Sequence, residues 1–270
     1  MYTVMQYNIL HQKKGWSSDE HLAPGLLARS QGVIRAINEI APDILVLAER
    51  HDEWAGIPIS NNGYELDEGV SVDLTALLDS NYVFVEDRIE GGKTVNRTPI
   101  VYNADRFRCL ESGSYELGEE HSFDISQNKR VVSYAVLEDI TDTDSNGVRV
   151  VAFATHWSSG QPQSLINTQS ESMQTIMRNV LSQKDYARLP VIAAADYNVL
   201  YPNEAYQSLL SGMKMIDADA AVNNDAVDQS IVDHIAIAGC TVVSFSKSNA
   251  DYISVASDHA PVSCQIKIGG

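Results

Sequence analysis

Short apolar runs rich in β-branched residues alternate with a few amphipathic segments along the chain. Short apolar runs bounded by turn residues predict strands, and apolar residues at helical spacing predict helices. Helical spacing occurs at Leu26–Ile40 and at 165–181, and a shorter helix is predicted at 74–78. The predicted strands are 3–9, 44–47, 82–85, 99–102, 131–137, 148–155, 191–195, 231–238 and 261–268.

The order of these elements indicates an α/β fold. Short strands outnumber helices and several connections have the length of hairpins, which favours mixed sheets with helices packed outside over a doubly wound parallel sheet. One hairpin is predicted across the polar turn 138–147. Part of it, 142–147, imitates the start of a calcium-binding loop, but the position that needs a glutamate ligand is Phe153. No repeat or linker divides the sequence, so we expect residues 1–270 to form a single domain.

Ionisable or amide side chains recur at the ends of the predicted strands. Strand ends at one edge of a sheet can converge on a single cleft, and catalytic residues favour such positions. The residues concerned are Asn8 and Glu49 in the first two strand regions, His156, Asp196 and Asn198 in the middle of the chain, and Asp233, His234, Asp258 and His259 near its end.

Each of these residues also has an ordinary structural explanation. Asn8 and the pair Asp196 and Asn198 could cap turns, since both residue types favour that role. Glu49 could form a surface ion pair with Arg50, and His156 could be a half-buried aromatic neighbour. The recurrence at six strand ends favours a shared site over six separate explanations.

Composition and charge narrow the function classes. The chain has 270 residues, of which 44% are hydrophobic, enough for a sizeable core. No apolar run approaches the ~20 residues that span a bilayer, which excludes an integral membrane protein. The formal net charge of −17 argues against a surface that grips nucleic acid through its phosphates. A bound divalent cation would, however, supply local positive charge.

Cysteine usage and the start of the chain carry less information. Cys109, Cys240 and Cys264 fit neither a disulfide framework nor a zinc pattern. The segment 2–10 directly follows Met1 and lacks the charged start and apolar core of a signal peptide. We therefore expect a soluble protein without a signal peptide in this sequence. Its location stays open, and a secreted precursor is compatible with this expectation.

Six short motifs in a fixed order carry a resemblance. They are Gln6-Tyr7-Asn8, Pro-Asp-Ile-Leu-Val-Leu-Ala-Glu at 42–49, Ala154-Thr155-His156, Ala195-Asp196-Tyr197-Asn198, Val232-Asp233-His234-Ile235 and Ser257-Asp258-His259-Ala260-Pro261-Val262. This set, spread over residues 3–266, resembles the endonuclease/exonuclease/phosphatase superfamily. The resemblance implies a four-layered α/β sandwich in which two mixed, mainly antiparallel sheets are flanked by helices.

The resemblance also implies an activity and a division of labour. The expected activity is metal-dependent hydrolysis of a phosphoester by a phosphodiesterase, nuclease or phosphatase, with Mg²⁺ or Mn²⁺ as the ion and Ca²⁺ as a further candidate. The implied metal ligands are Asn8, Glu49 and Asp258, the implied catalytic residues are His156, Asp196, Asn198, Asp233 and His259, and Arg130 is implied to contact the substrate phosphate. The expected substrate is a nucleic acid, a nucleotide, or a lipid or inositol head group, and the expected state is a monomer.

Three departures from the superfamily pattern and one alternative function stay open. Ala48 stands where the superfamily usually has Gln, and Ala195 where it has Gly. Trp157-Ser158 follows His156 where many members have a second polar pattern, and together these departures leave the substrate subgroup undefined. Arg130 could equally be a surface arginine at a strand start. The alternative function is a catalytically inactive scaffold of the same fold that binds a protein or ligand partner, with Trp16, Trp54 and Trp157 on its binding surface.

Overall fold

The computed structural model describes residues 1–11, 25–57, 70–85, 97–117, 130–142, 147–183 and 185–268. The strands of this part of the chain are β1 (Tyr2–Asn8), β2 (Ile44–Ala48), β3 (Tyr82–Phe84), β4 (Ile100–Asn103), β5 (Phe107–Glu116), β6 (Val131–Asp139), β7 (Arg149–His156), β8 (Val191–Asp196), β9 (Ile216–Asp217), β10 (Asp233–Ala238), β11 (Cys240–Lys247) and β12 (Val262–Ile268). The α-helices are α1 (Leu26–Ile40), α2 (Leu74–Leu77), α3 (Gln163–Leu181), α4 (Glu204–Met213), α5 (Ala218–Asn223) and α6 (Ile253–Ala256).

The strands form two six-stranded sheets. One has the order β11-β12-β1-β2-β4-β3 and the other β5-β6-β7-β8-β10-β9. The pairs β1–β2 and β7–β8 are parallel, and the other paired strands are antiparallel. Both sheets are therefore mixed and mainly antiparallel, as predicted.

The sheets pack face to face and carry helices on their outer faces. Because successive side chains of a strand point to opposite faces of the sheet, the buried residues of β2 enter two different cores. Ile44 and Val46 lie in the core between the two sheets, together with Ile192 of β8. Leu45 belongs to the outer core that includes Val33 of α1. A corresponding outer core packs α3 and α4 against the second sheet. This is the four-layered sandwich that the resemblance implied.

Most predicted elements are present, with boundaries that differ by one or two residues. Helix α1 has the predicted bounds, and β6 and β7 form the predicted hairpin with Phe153 buried inside a strand. Residues 143–146 of the turn lie outside the described residues. Among the described helices, none is both long and apolar enough to cross a membrane.

Strands β5, β9 and β11 were missed by the sequence prediction, and all three lie at sheet edges. Strand β5 forms one edge of its sheet, and β11 forms one edge of the other. Along both strands, half-buried residues alternate with exposed ones. Edge strands carry polar side chains on the solvent side, which dilutes the apolar run that marks a central strand. Helices α4, α5 and α6 were also not predicted. Helices α5 and α6 have only 6 and 4 residues, too few to show a helical repeat.

Candidate active site

The topology brings the polar strand ends to one edge of the sandwich. The parallel pairing of β1 with β2 places Asn8 beside Ala48, directly before Glu49. The parallel pairing of β7 with β8 places His156 beside Asp196. Strand β10 runs antiparallel to β8, so its first residue, Asp233, also lies beside Asp196. Because β12 runs antiparallel to β1, the segment that precedes β12 reaches the same edge.

Asn8 connects the two sheets at this edge. Its Nδ2 donates to Glu49 Oε1 at 3.0 Å and to Asp196 Oδ2 at 2.9 Å. Its Oδ1 accepts from the backbone N–H of Leu10 at 3.0 Å, which holds the amide in place. One buried amide nitrogen thus lies between two carboxylates from different sheets, and the predicted neighbourhood of Asn8, Glu49 and Asp196 is present.

The Glu49 carboxylate is bound by His11, which lies in the segment after β1. The backbone N–H of His11 donates to Glu49 Oε2 at 3.0 Å, and the His11 ring Nδ1 contacts the same oxygen. Burial alone would raise the pKa of Glu49, but His11 and, more weakly, His156 and Asn8 hold this pKa well below its usual range. Glu49 is therefore an anion at neutral pH, ready to bind a cation.

The His51 ring packs against the His11 ring. The two imidazoles stack with ring centroids 4.2 Å apart and an interplanar angle of 9°. Burial, with the neighbouring His11 and Arg97, lowers the pKa of His51 to about 2. Neutral His51 can therefore pack against the His11 ring without bringing a positive charge to it.

Asp233 and His259 form a close pair. His259 Nδ1 lies 2.5 Å from Asp233 Oδ2, and Gln6 Nε2 donates to the other oxygen, Asp233 Oδ1, at 3.0 Å. Burial alone would lower the pKa of His259, but the hydrogen bond and charge of Asp233, with further acidic neighbours, raise it to about 10. His259 is therefore an imidazolium at neutral pH, with Nε2 left to face the cleft.

Asp196 occupies the centre of the cluster. Its Oδ2 lies 3.4 Å from His156 Nε2 and 3.8 Å from His259 Nε2, and its Oδ1 accepts from the backbone N–H of Asn198 at 2.8 Å. Burial and the negative charge of Asp233 raise the pKa of Asp196 to about 7. Such a carboxylate can take and release a proton near neutral pH.

His156 and Arg130 are electrostatic neighbours. His156 is buried, and burial followed by the charge of Arg130 keeps its pKa well below the ordinary value. Arg130 directly precedes β6, whose first residues pair with the end of β7. Arg130 therefore lies within electrostatic reach of His156.

The Asn198 side chain is held by the backbone of a neighbouring loop. The Asn198 backbone has a φ of 53°, in the left-handed region that Asn tolerates. Its Nδ2 donates to the Trp157 carbonyl at 2.8 Å, which joins the loop after β8 to the loop after β7. A second amide hydrogen remains on Nδ2 for a ligand.

Ser257 fixes the segment that carries Asp258 and His259. Its hydroxyl donates to the Asn8 carbonyl at 2.7 Å and accepts from the His259 backbone N–H at 3.1 Å. Asp258 is the most open of the acidic residues, with Oδ1 4.0 Å from His259 Nε2. Burial and the charge of Glu49 raise the pKa of Asp258, which places the two carboxylates in one electrostatic neighbourhood.

Two groups of side chains among the described residues contain potential metal ligands. The set implied by the resemblance offers the carboxylates of Glu49 and Asp258 and the amide oxygen of Asn8, the oxygen donors that Mg²⁺ and Mn²⁺ prefer. The second set is Asp196, Asp233 and His259, whose ligand atoms lie within 4.8 Å of one another. The residues present therefore fit a divalent cation.

Several supporting residues were not predicted from the sequence. Gln6 had a visible signal, because it lies two residues before Asn8 and shares its face of an otherwise apolar strand. Ser257 lies inside a quoted motif but had no assigned role. His11 and His51 gave no signal, since their partner contacts form only when the loops after β1 and β2 meet.

The tryptophans do not form a binding surface in the described part of the chain. Trp54 and Trp157 are both fully buried. Trp54 donates from Nε1 to the Leu10 carbonyl at 3.2 Å, and Trp157 packs edge-on against Tyr197. Trp16 lies outside the described residues. Both described tryptophans therefore act as packing residues.

Comparisons with solved structures find proteins of the same fold. No protein-family model and no curated protein matches the sequence. A mannosyl-6-phosphatase from Bacteroides thetaiotaomicron matches with a TM-score of 0.70 and 18% identity, over 99% of this chain and 100% of that chain. An endonuclease/exonuclease/phosphatase from Bacteroides vulgatus gives a TM-score of 0.72 and 18% identity over 99% of each chain. The structure of ANGEL2, a 2′,3′-cyclic phosphatase, with adenosine-2′,3′-vanadate gives 0.72 and 15% identity over 98% of this chain and 95% of that chain.

Proposed function

We propose that this chain, which has the endonuclease/exonuclease/phosphatase fold, is a metal-dependent hydrolase of phosphoester bonds. The observation that carries the proposal is the convergence of six separate sequence segments on one edge of the sandwich, with Asn8 hydrogen-bonded to Glu49 and Asp196. Structural relatives that are described as phosphatases support the same class of reaction. We also propose that residues 1–270 act as one domain and as a monomer.

The proposed ion is Mg²⁺ or Mn²⁺, held by Glu49 and Asp258 with the amide oxygen of Asn8. When bound, it would supply positive charge to the phosphoryl oxygens and to the leaving oxygen. Four carboxylates in one small cluster repel one another unless cations compensate them. His259 supplies one positive charge, and a divalent cation beside Glu49 would balance most of the rest.

Asp233, His259 and Asp196 are better suited to acid–base and electrostatic roles than to primary ligation. Asp233 is paired with His259, and because the raised pKa of His259 leaves both of its ring nitrogens protonated, that ring has no lone pair to offer a metal ion. The high pKa of His259 makes it a charge stabiliser for the phosphoryl oxygens rather than a base. Asp196, with its pKa near neutrality, is the proposed base.

The proposed reaction is a displacement at phosphorus. The oxygen of a water molecule bonds to phosphorus while the bond from phosphorus to the leaving oxygen breaks. The water proton passes to Asp196, and the leaving alkoxide takes a proton from solvent. His156, Arg130 and the amide of Asn198 would contact the phosphoryl oxygens, so that positioning and electrostatics supply most of the rate.

The substrate class stays with phosphoesters: a nucleotide, a nucleic acid end, a sugar phosphate or a lipid or inositol head group. A mannosyl-6-phosphatase and a 2′,3′-cyclic phosphatase share the fold, which supports small phosphoesters among these. The inactive-scaffold alternative has no observation in its favour, because its two described tryptophans are buried.

The test is hydrolysis of bis-(p-nitrophenyl) phosphate and p-nitrophenyl phosphate with Mg²⁺, Mn²⁺, Ca²⁺ or EDTA. We expect turnover of at least one ester with Mg²⁺ or Mn²⁺ and its loss in EDTA. Full activity in EDTA after exhaustive chelation would contradict the metal role. Absence of hydrolysis with every ion, in a protein shown to be folded by circular dichroism, would contradict the enzyme proposal and favour the scaffold.

A further inference from the structure

An open cavity adjoins the candidate active site on the side of Asn198. Its volume is about 440 Å³, which is within the usual range for small-molecule sites. It lies between the segment 158–163, which follows β7, and the segment 198–203, which follows β8. Since β7 ends at His156 and β8 at Asp196, the cavity begins where the proposed phosphate site ends.

The polar part of the lining consists of amides and one hydroxyl. Its residues include Ser158, Gln161, Gln163, Asn198 and Asn203. None of the ten described side chains that line the cavity carries a charge. Amides offer donors and acceptors on the same group, which suits ligands whose hydroxyls both donate and accept.

Hydrogen bonds within the walls hold this lining in place. Asn203 Nδ2 donates to Gln163 Oε1 at 2.9 Å, and Gln163 Nε2 donates to Asn203 Oδ1 at 3.2 Å, which ties α3 to the start of α4. Gln169 makes two hydrogen bonds to Ser158. Its Oε1 accepts from the Ser158 N–H at 3.1 Å, and its Nε2 donates to the Ser158 hydroxyl oxygen at 2.8 Å. The Ser158 hydroxyl hydrogen is therefore directed to other acceptors.

An apolar patch completes the cavity. Leu200 is 43% exposed although it is a large apolar side chain, and Pro202 lies next to it in the lining. A sugar ring has hydroxyls at its rim and C–H groups on its faces, so it can contact amides and an apolar side chain at the same time. A polyanion, in contrast, requires cationic side chains to neutralise its further phosphates.

We propose that this cavity binds the uncharged, hydroxyl-rich leaving group of the substrate, so that the preferred substrate is a sugar monophosphate. The inference rests on the proposed function, because it places the phosphate at His156, Asp196 and Asn198. The phosphate lies on the metal side of Asn198 and the sugar on the side of Gln161 and Leu200. The cavity selects the sugar by hydrogen bonds that a plain aryl or alkyl group cannot make.

The experiment compares kcat/KM for glucose 6-phosphate, p-nitrophenyl phosphate, adenosine 5′-monophosphate and a short oligodeoxynucleotide with the wild-type protein and Mn²⁺. For each substrate the release of phosphate or of a new chain end is measured. We expect glucose 6-phosphate to exceed the nucleotide and the oligonucleotide by at least about tenfold. An equal or higher value for either nucleotide substrate would overturn the sugar assignment.

Variants test the cavity itself. Loss of two hydrogen bonds, each contributing about threefold, corresponds to a loss of about tenfold. The double variant Ser158→Ala/Gln161→Leu should therefore lower the ratio of kcat/KM for glucose 6-phosphate to that for p-nitrophenyl phosphate by about tenfold, mainly through KM. The single variant Gln161→Leu serves if the double variant does not fold. The control is Asn179→Leu, an exposed amide near the other end of α3, which should leave the ratio unchanged.

The outcomes separate the two proposals. A wild-type protein that hydrolyses p-nitrophenyl phosphate but does not prefer glucose 6-phosphate retains the proposed function and loses the sugar assignment. A ratio unaffected by both cavity variants also overturns the assignment. Failure to hydrolyse every ester with Mg²⁺ or Mn²⁺ overturns the proposed function and the sugar assignment together.

Discussion

His259 Nδ1 lies 2.5 Å from Asp233 Oδ2, although the two residues are 26 positions apart. Asp233 begins β10 in the second sheet, and His259 precedes β12 in the first sheet. The contact therefore joins the two sheets at the candidate active site. Asn8 makes a second link between the sheets through its hydrogen bonds to Glu49 and Asp196. Two polar links between sheets fix the geometry on which the proposed chemistry depends.

Asp233→Asn should lower the pKa of His259. Burial alone lowers this pKa, and the charge and hydrogen bond of Asp233 are the largest opposing effects, raising it from 6.5 to about 10. An amide removes the charge, so the imidazole should titrate well below 10. The midpoint can be measured from imidazole nuclear magnetic resonance shifts in the metal-free protein. An unchanged midpoint in the variant would show that Asp233 does not set the charge of His259.

The same pair gives stability a defined dependence on pH. Because the folded pKa of His259 lies above the unfolded value of 6.5, the contribution is fully present below about pH 6.5 and disappears as pH rises toward about 10. The difference in unfolding free energy between wild type and Asp233→Asn, measured by urea denaturation, should therefore shrink between pH 7 and pH 10. A difference that stays constant over this range would contradict the pairing.

Asp196→Asn should remove the proposed base. The carboxylate has a pKa of about 7 because burial and Asp233 disfavour its charge, so wild-type kcat/KM should fall as pH drops below about 7. The variant should lose turnover by about 10²–10⁴-fold and should no longer show that acidic limb. Steady-state kinetics on p-nitrophenyl phosphate between pH 5 and pH 9 provide the measurement. Near-normal turnover in the variant would rule out Asp196 as the base.

Glu49→Gln should weaken cation binding and lower turnover by ~10²-fold or more, since it removes the anionic ligand. The matched control is Glu171→Gln, an exposed position on α3. Calorimetric titration with Mn²⁺ measures the binding directly. The control should bind Mn²⁺ like the wild type. If Glu49→Gln did so as well, the ion would have to lie elsewhere.

Arg29 should matter for stability although it is not a predicted site residue. Its buried guanidinium donates from Nη2 to the Ile9 carbonyl at 2.8 Å and from Nε to the Ala256 carbonyl at 3.0 Å, and it also contacts the Leu10 carbonyl. Arg29→Met leaves these buried acceptors without the donor, at a cost of about 3 kcal/mol. Urea denaturation checks the value.

The control for Arg29 is Arg35→Met on the same helix. Arg35 lies at the surface and pairs with Glu39 one helical turn away. Its replacement should leave the unfolding free energy close to that of the wild type. If both variants lost the same stability, the buried contacts of Arg29 would not be the cause.

The fold was predictable where strands and helices are buried on one or two faces. The apolar run of β2 and the helical spacing of α1 reflect the cores that these elements enter. Edge strands such as β5 gave a weaker pattern, because exposed positions interrupt it. Asp233 and His259 belong to different sheets, and the ordered motifs implied that they lie in one site. Hydrophobic periodicity gave no sign of this contact.

The remaining parts of the site depend on contacts that no local pattern contains. His11 contacts Glu49 only because the loops after β1 and β2 meet, and the two residues are 38 positions apart. The amide cavity likewise combines the loop after β7 and the start of α3 with the loop after β8, and neither loop has an apolar period. Such contacts follow from the assembled sheets, so they could be read only after the strand order was known.

The most direct test of the account is a crystal structure of the protein soaked with Mn²⁺ and inorganic phosphate, with anomalous scattering used to locate manganese. We expect a manganese peak within about 2.0–2.6 Å of a Glu49 carboxylate oxygen, with phosphate between that ion and the side chains of His156, Asp196 and His259. Manganese bound away from Glu49, or phosphate bound at another surface, would contradict the central claim.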